Sequence, residues 1–315
     1  MEELTARLLN ALGIDTAARF GAALALFVAD SVKILLLLFF MISAIGALRT
    51  FVSRAAAEKY MGGKNRLMSC FFASLFAIFT PFCSCSSVPV FLSLVRMGIP
   101  FSASICFLAV SPLVNEYLVA LMPGYFGFKI VAVYIAGGIA VGMAGGLALE
   151  KLGMEKYLES SAAGAHIEDM KFENFRARLK FGIAEGAGIV KKLWPWILAG
   201  TALGSAIHNY VPDAAVLKIA NFGGVFSVPL AALIGAPVYG SCAGVVPIAI
   251  IMFGKPIPLG TTLAFLMSVS SVSLPEAVLL RSVMKLKLLF AFFAAVITGI
   301  IIMGYFMNFA ARWLL

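Results

Sequence analysis

The sequence predicts an all-α polytopic membrane protein of two internal repeats, each with three spanning helices plus a proline-broken re-entrant or discontinuous helix. Three observations predict it. Of 315 residues, 62% are hydrophobic and only 12% charged, with a mean hydropathy of +1.02. Soluble domains carry roughly 25% charged residues, and a water-soluble core of this size could not hide so much apolar material. Runs free of Asp, Glu, Lys and Arg recur at 34–48, 67–95, 97–115, 117–128, 130–149, 193–212, 219–254, 256–275 and 288–311, and a spanning helix needs about 20 mostly apolar residues. Finally, the halves align: a shift of 158 lays Val32-Lys33 on Val190-Lys191, Gly46 on Gly204, Val88-Pro89 on Val246-Pro247 and Gly98-Ile99-Pro100 on Pro256-Ile257-Pro258. A slip to 160 then pairs Ser111 with Ser271 and Glu116 with Glu276.

The same numbers exclude other classes. Long uncharged runs are not the alternating ten-residue segments of a transmembrane barrel, nor a disordered chain. The net charge of +9 reads as basic cytoplasmic loops facing anionic lipid, with no nucleic-acid partner. Five cysteines, an odd number, all lie in apolar stretches, which is no disulfide framework. Glu2 and Glu3 open a chain with no basic region before a short apolar core, so no cleavable signal peptide is expected. There is no Walker A motif, and His166 and His208 make neither a metal cluster nor a catalytic triad. The expectation is therefore a protein that is not an enzyme and carries no cofactor and no metal.

In chain order, residues 1–18 read as a short amphipathic helix and 19–32 lead into the first span. The loop 49–66 holds Arg49, Arg54, Lys59, Lys64 and Arg66 and is expected in the cytoplasm by the positive-inside rule. The one long polar stretch, 150–180, holds Lys151, Lys156, Lys171, Arg176, Arg178 and Lys180 and is expected there too. It divides the chain into an N-terminal repeat (1–149), a cytoplasmic linker (150–180) and a C-terminal repeat (181–315). An even number of crossings must separate the two basic segments, yet three apolar runs lie between them. The run 67–95 resolves this: as one helix its 29 residues would reach roughly 43 Å, beyond the ~30 Å hydrocarbon core. Two half-helices would instead make a re-entrant hairpin. Its partner is 219–254. Three crossings plus a hairpin per half invert the second repeat and place Arg281, Lys285 and Lys287 inside; eight full crossings with parallel repeats are the alternative. The glycines 137, 138, 142, 145 and 146 read as close-packing positions between helices.

Both hairpins break at polar, doubly proline-bounded segments. Pro81 and Pro89 flank Cys83-Ser84-Cys85-Ser86-Ser87, and Pro237 and Pro247 flank Tyr239, Ser241 and Cys242. Proline removes amide donors, and irregular backbone at membrane depth persists only where protein or a water-filled cavity satisfies it. Half-helix N-termini facing such a break favour anions. Two further breaks follow, at Ser111-Pro112-Leu113-Val114-Asn115-Glu116 and at Ser271-Val272-Ser273-Leu274-Pro275-Glu276. Intramembrane carboxylates mark a pathway, a proton relay or a structural pair, so Glu116 and Glu276 are candidates for proton or ion coupling. Cys83 and Cys85 could ligate a soft ion such as trivalent arsenic, copper(I) or zinc, with Cys242 as a third thiol. Cys70 and Cys106 read as small hydrophobes.

The stretch Thr80-Pro81-Phe82-Cys83-Ser84-Cys85-Ser86-Ser87-Val88-Pro89, followed by Ser111-Pro112-Leu113-Val114-Asn115-Glu116, resembles the predicted-permease family that includes organoarsenical efflux permeases (ArsP type, with YraQ-like relatives). The resemblance covers essentially the whole chain. It implies a multi-pass secondary permease of the cytoplasmic (inner) membrane that carries a small-molecule or ionic substrate, with Cys83 and Cys85 as thiols facing a trivalent organoarsenical during efflux. The residue reading, taken by itself, is a permease with a midplane site at the repeat interface. Substrate would meet Cys83, Ser84, Cys85, Ser86, Ser87, Ser111, Asn115, Tyr239, Ser241, Cys242 and Ser271. The alternative is a membrane thiol–disulfide oxidoreductase cycling Cys83 and Cys85. A homo-oligomer is compatible with either.

Overall fold

The computed structural model describes residues 19–49, 65–79, 84–114, 119–120, 122–124, 127–159, 174–210, 224–236 and 257–314, together with Thr5. Among these the protein is all-helical, with α1 Arg19–Arg49, α2 Arg66–Phe79, α3 Ser84–Arg96, α4 Phe101–Leu113 and α5 Phe128–Lys151 in the first half. The second half holds α6 Phe175–Tyr210, α7 Ser227–Gly235, α8 Leu259–Ser271, α9 Leu274–Arg281 and α10 Leu286–Leu314. No strand occurs among the described residues; Leu158 and Met284 form an isolated antiparallel bridge.

Helix α5 has 24 residues, about 36 Å at 1.5 Å per residue. It and α10 are long and apolar enough to cross a membrane. The other apolar helices are half as long: α2 has 14 residues, α3, α4 and α8 have 13 each. The outer surface is apolar, with Phe128 80% and Trp313 82% exposed and Phe40, Phe290 and Phe309 also outside. Helices that leave such residues uncovered have lipid rather than water as their solvent. This is the composition of a membrane protein expressed on its surface.

Short connections fix the path. The α3 C-terminus closes on Gly98 at φ +79°, with Ile99 N–H donating to Leu94 O and Gly98 N–H to Val95 O, both at 3.1 Å. That pair of bonds is a Schellman cap, and the left-handed residue within it favours glycine. Pro100 then starts α4 at φ −50°, ψ 139°, and Pro258 starts α8 at φ −58°, ψ 140°. The match continues at the other end. Val114 caps α4 by donating to Val110 O, and Val272, 158 positions later, caps α8 by donating to Ser268 O.

Contacts set the directions. Arg66 Nε lies 3.4 Å from Glu150 Oε1, so α2 begins where α5 ends. An added Cβ on Gly146 would come within 2.6 Å of Ser102 O and of Cys106 Sγ, while Gly142 meets Val110 and Gly138 meets Val114. Helix α4 therefore runs antiparallel to α5, starting at the linker end like α2. In the second half α8 runs antiparallel to α10, because Gly260 abuts Gly304 and its N–H donates to Asn308 Oδ1 at 2.6 Å. But α10 begins at the linker end, where Lys285 N–H donates to Tyr157 O at 2.8 Å; α8 starts at the opposite face. Helices α7 and α8 are parallel, tied by Ser227 Oγ to Thr261 Oγ1 at 2.8 Å and by Ser268 Oγ donating to Ala232 O.

The long helices α1 and α6 pair antiparallel. Ser31 Oγ sits 2.8 Å from Thr201 Oγ1, while Gly182 and Gly186 press on the backbone around Ser43. Small residues at such crossings let backbones approach, the main source of helix association where no water drives it. At the centre lie α4, buried along its whole length, and α8, buried at almost every position. These two touch each other.

Candidate functional site

Each central helix ends in mid-molecule at a hydroxyl- and proline-bearing break. Pro112 sits in the last turn of α4, and the chain leaves the helix at Val114 with φ −111°, ψ 67°. The Leu113 carbonyl there accepts a 2.6 Å hydrogen bond from the Tyr134 hydroxyl of α5. Tyr134 is completely buried, so this bond satisfies a carbonyl at the break that water does not reach. Ser111 in the same turn is 1% exposed.

The equivalent break separates α8 from α9. Helix α8 ends at Ser271, whose hydroxyl donates back to Met267 O. After Val272 the chain turns, and Ser273 caps α9 by accepting from Glu276 N–H at 3.3 Å. Pro275 lies in the first turn of α9, where its missing N–H is no loss. Glu276 is fully buried at the third helical position. A serine followed three residues later by glutamate is the capping-box pattern, and the positive end of the helix dipole favours a carboxyl at that place.

The segment expected to form the first hairpin tip is described from Ser84 onward, as the start of α3. Ser84, Cys85 and Ser86 form its first turn, and Ser87 and Pro89 are buried in the second. Helix α3 packs on α4, α1 and α9, and α9 packs on α6. The α3 turn of the first half thus shares a neighbourhood with the Glu276 helix of the second, and the Ser111 helix with the Ser271 helix. Those two contacts, α3–α9 and α4–α8, join the halves at the breaks, inside the larger α1–α6 and α5–α10 contacts. Pro81, Cys83, Asn115, Glu116, Pro237, Tyr239, Ser241, Cys242 and Pro247 lie outside the described residues, as do the loop 50–64 and residues 160–173 of the linker.

Two features escaped the reading of single segments. Tyr134 is the polar exception in the stretch of α5 between Lys129 and Glu150, and its spacing says nothing of Leu113. Ser273 looked like one serine of several, although S-x-x-E ahead of an apolar run is a recognisable cap. An open apolar groove of about 1150 Å³ runs between α5 and α10, lined by Ala132, Ala136, Ala140, Thr298 and Ile302 among others. It lies on the outer face, away from the breaks.

The chain matches the model of a family described as "Predicted permease" over residues 19–309. It is similar to the "UPF0718 protein YcgR" of Bacillus subtilis (strain 168), 23% identical over 250 residues that cover 78% of this chain and 83% of that protein. It is also similar to a "Putative two-component membrane permease complex subunit" of Streptococcus mutans serotype c, 22% identical over 178 residues, 56% of this chain and 59% of the other. No solved structure matches.

Proposed function

The chain belongs to the predicted-permease family, and from that premise we propose that it is a secondary transporter of the inner membrane with its substrate site between two inverted repeats. The observation that carries this reading is the paired interruption of the two central helices. Helices α4 and α8 have 13 residues each, begin at prolines 158 positions apart, end at valines 158 positions apart, and start from opposite faces of the molecule. Inverted-topology repeats joined at broken half-helices are how many transporters build a midplane site.

The same geometry supports a re-entrant hairpin. Helix α2 leaves the linker end, α3 returns to it across the short segment 80–83, and α4 leaves again after a tight turn. Lengths of 14 and 13 residues give roughly 20 Å each, too short for a ~30 Å hydrocarbon core. In this reading the tip falls inside the membrane at the start of α3, the helix that packs on α9 of the second half, and Cys83, Ser84, Cys85, Ser86 and Ser87 are the residues assigned to substrate. Glu276, with Glu116, supplies proton or ion coupling. The substrate class is a trivalent organoarsenical or another soft or sulfur-containing solute, moved outward, because two thiols one residue apart suit a thiophilic centre.

The test is flux in inverted membrane vesicles, with and without a proton gradient, comparing methylarsenite, arsenite and thiosulfate. The parent is expected to accumulate one of these, and Cys83→Ser with Cys85→Ser to lose it selectively. Accumulation that survives loss of both thiols would remove them from the site. Absence of flux for every such solute would end the transport reading.

A further inference from the structure

The apolar groove between α5 and α10 ends in a cluster of lysines. On α10 its wall includes Ala291, Ala294 and Thr298, and Lys287 stands one turn before Ala291 on the same helical face. On α5 the wall of Ala144, Ala148 and Leu152 closes beside Lys151 in the last turn of the helix. The short turn Met154–Tyr157 packs on both helices at this end. It brings two ammonium groups onto the Tyr157 ring, with Lys156 Nζ 5.4 Å and Lys287 Nζ 5.5 Å from its centroid. We propose that the linker end of this groove binds one anionic phospholipid, its phosphate held by Lys151, Lys156 and Lys287 and an acyl chain laid along α5 and α10.

The charge at this end calls for an anion. Arg66 pairs with Glu150 and Arg281 with Glu159. Lys151, Lys156, Lys285 and Lys287 are all exposed, and Glu155 is the one other carboxylate within 150–159 and 281–287. One aromatic ring attracts two of these cations, and that holds like charges together where a phosphate can meet both. Lysine side chains, with three donors on a four-carbon stem, turn readily to such a group. Basic sites between helices at the membrane surface are the usual seats of acidic headgroups.

The groove below decides for a lipid over free phosphate. Its walls are apolar apart from the Thr298 hydroxyl. From Ala132 to Leu152 it follows α5 for about 30 Å, the thickness of the hydrocarbon core, so its linker half is one leaflet deep. Small residues hollow its floor: an added Cβ on Gly145 would meet only Ala295, at 3.8 Å. Charge also argues against a second copy as the occupant. Two copies in one membrane share their orientation, so a twofold contact along the groove would set each lysine cluster against its own image. Because α5 belongs to the first half and α10 to the second, the bound lipid bridges the two halves, whatever the cargo.

The experiment uses the full chain in detergent and reads retained lipid by native mass spectrometry. Phosphatidylglycerol and phosphatidylcholine with identical acyl chains are the probes. The parent is expected to hold one phosphatidylglycerol at least about tenfold more tightly than phosphatidylcholine. Lys151→Gln, Lys156→Gln and Lys287→Gln are each expected to weaken phosphatidylglycerol by about fivefold, the effect of one lysine near an anionic surface. Ala144→Phe, at an exposed position, fills the groove, spares the lysines and is expected to weaken both lipids. All four variants change exposed side chains and are expected to match the parent in size exclusion. Equal retention of the two lipids, or full retention after all three lysines are replaced, would overturn the proposal. Displacement by inorganic phosphate with no effect of Ala144→Phe would reduce the site to a bare anion site and overturn the lipid assignment. A dimer that Ala144→Phe dissociates would give the groove to a second copy and overturn it too.

Discussion

The hydroxyl of Tyr134 reaches across from α5 to the carbonyl of Leu113 at 2.6 Å, where α4 gives way after Pro112. Removing that hydroxyl leaves a buried carbonyl without this donor. Interhelical hydrogen bonds in membranes are worth about 0.6–1.7 kcal/mol, and an orphaned buried acceptor costs about 1–3. Tyr134→Phe is expected to lower stability by about 1–2 kcal/mol, read as earlier thermal loss of the monodisperse peak in detergent. If the break shapes the site, the same variant weakens flux of the cargo more than its expression.

Gly260 tests the second central helix. A Cβ there would overlap the Gly304 carbonyl, which cannot move without shifting α10, and would approach Asn308 Oδ1 to 2.8 Å. Overpacking a crossing of this kind costs about 1–3 kcal/mol and sometimes more. Gly260→Ala is therefore expected to fold poorly, with a large drop in extractable protein. Gly145→Ala is the control, since its Cβ would meet only Ala295 at 3.8 Å, and it should match the parent.

At the linker end Arg281 Nη1 pairs with Glu159 Oε1 at 3.1 Å, with side chains 38% and 32% exposed. Exposed pairs contribute roughly 0–1 kcal/mol and are screened by salt. The backbone bonds beside it matter more: Glu159 N–H donates to Val283 O at 3.0 Å. Glu159→Gln is expected to cost under about 1 kcal/mol, with the difference fading in high salt. Glu159→Pro removes the same carboxylate and the donor as well, and is expected to cost about 1–2 kcal/mol more than Glu159→Gln, with that added part insensitive to salt.

Why these bonds were hidden while the architecture was not is a matter of range. The apolar runs, the paired prolines and the 158-residue offset are local or repetitive, so they mark where α4, α5, α8 and α10 begin. The prolines at 112 and 275 mark where the central helices break. Partners across helices leave no such trace. Cys106 reads as a small hydrophobe, and only the packing of α4 on α5 sets its sulfur against Gly146, 40 positions on. Glu276 is legible twice over, as an intramembrane carboxylate and as the third residue after Ser273.

The proposed inverted arrangement yields the sharpest test, because it assigns faces. Leu67 and Phe226 are exposed residues at the starts of α2 and α7, 159 positions apart. Arg66 next to the first contacts Glu150, so Leu67 lies at the linker end. Phe226 precedes Ser227, which pairs with Thr261 at the start of α8, at the opposite end. In a background without native cysteines, Leu67→Cys and Lys156→Cys should react with an impermeant maleimide only in inverted vesicles. Phe226→Cys should react only in right-side-out vesicles. Parallel repeats would put Leu67→Cys and Phe226→Cys on one side, and that labelling pattern would remove the pseudo-twofold on which a shared midplane site depends.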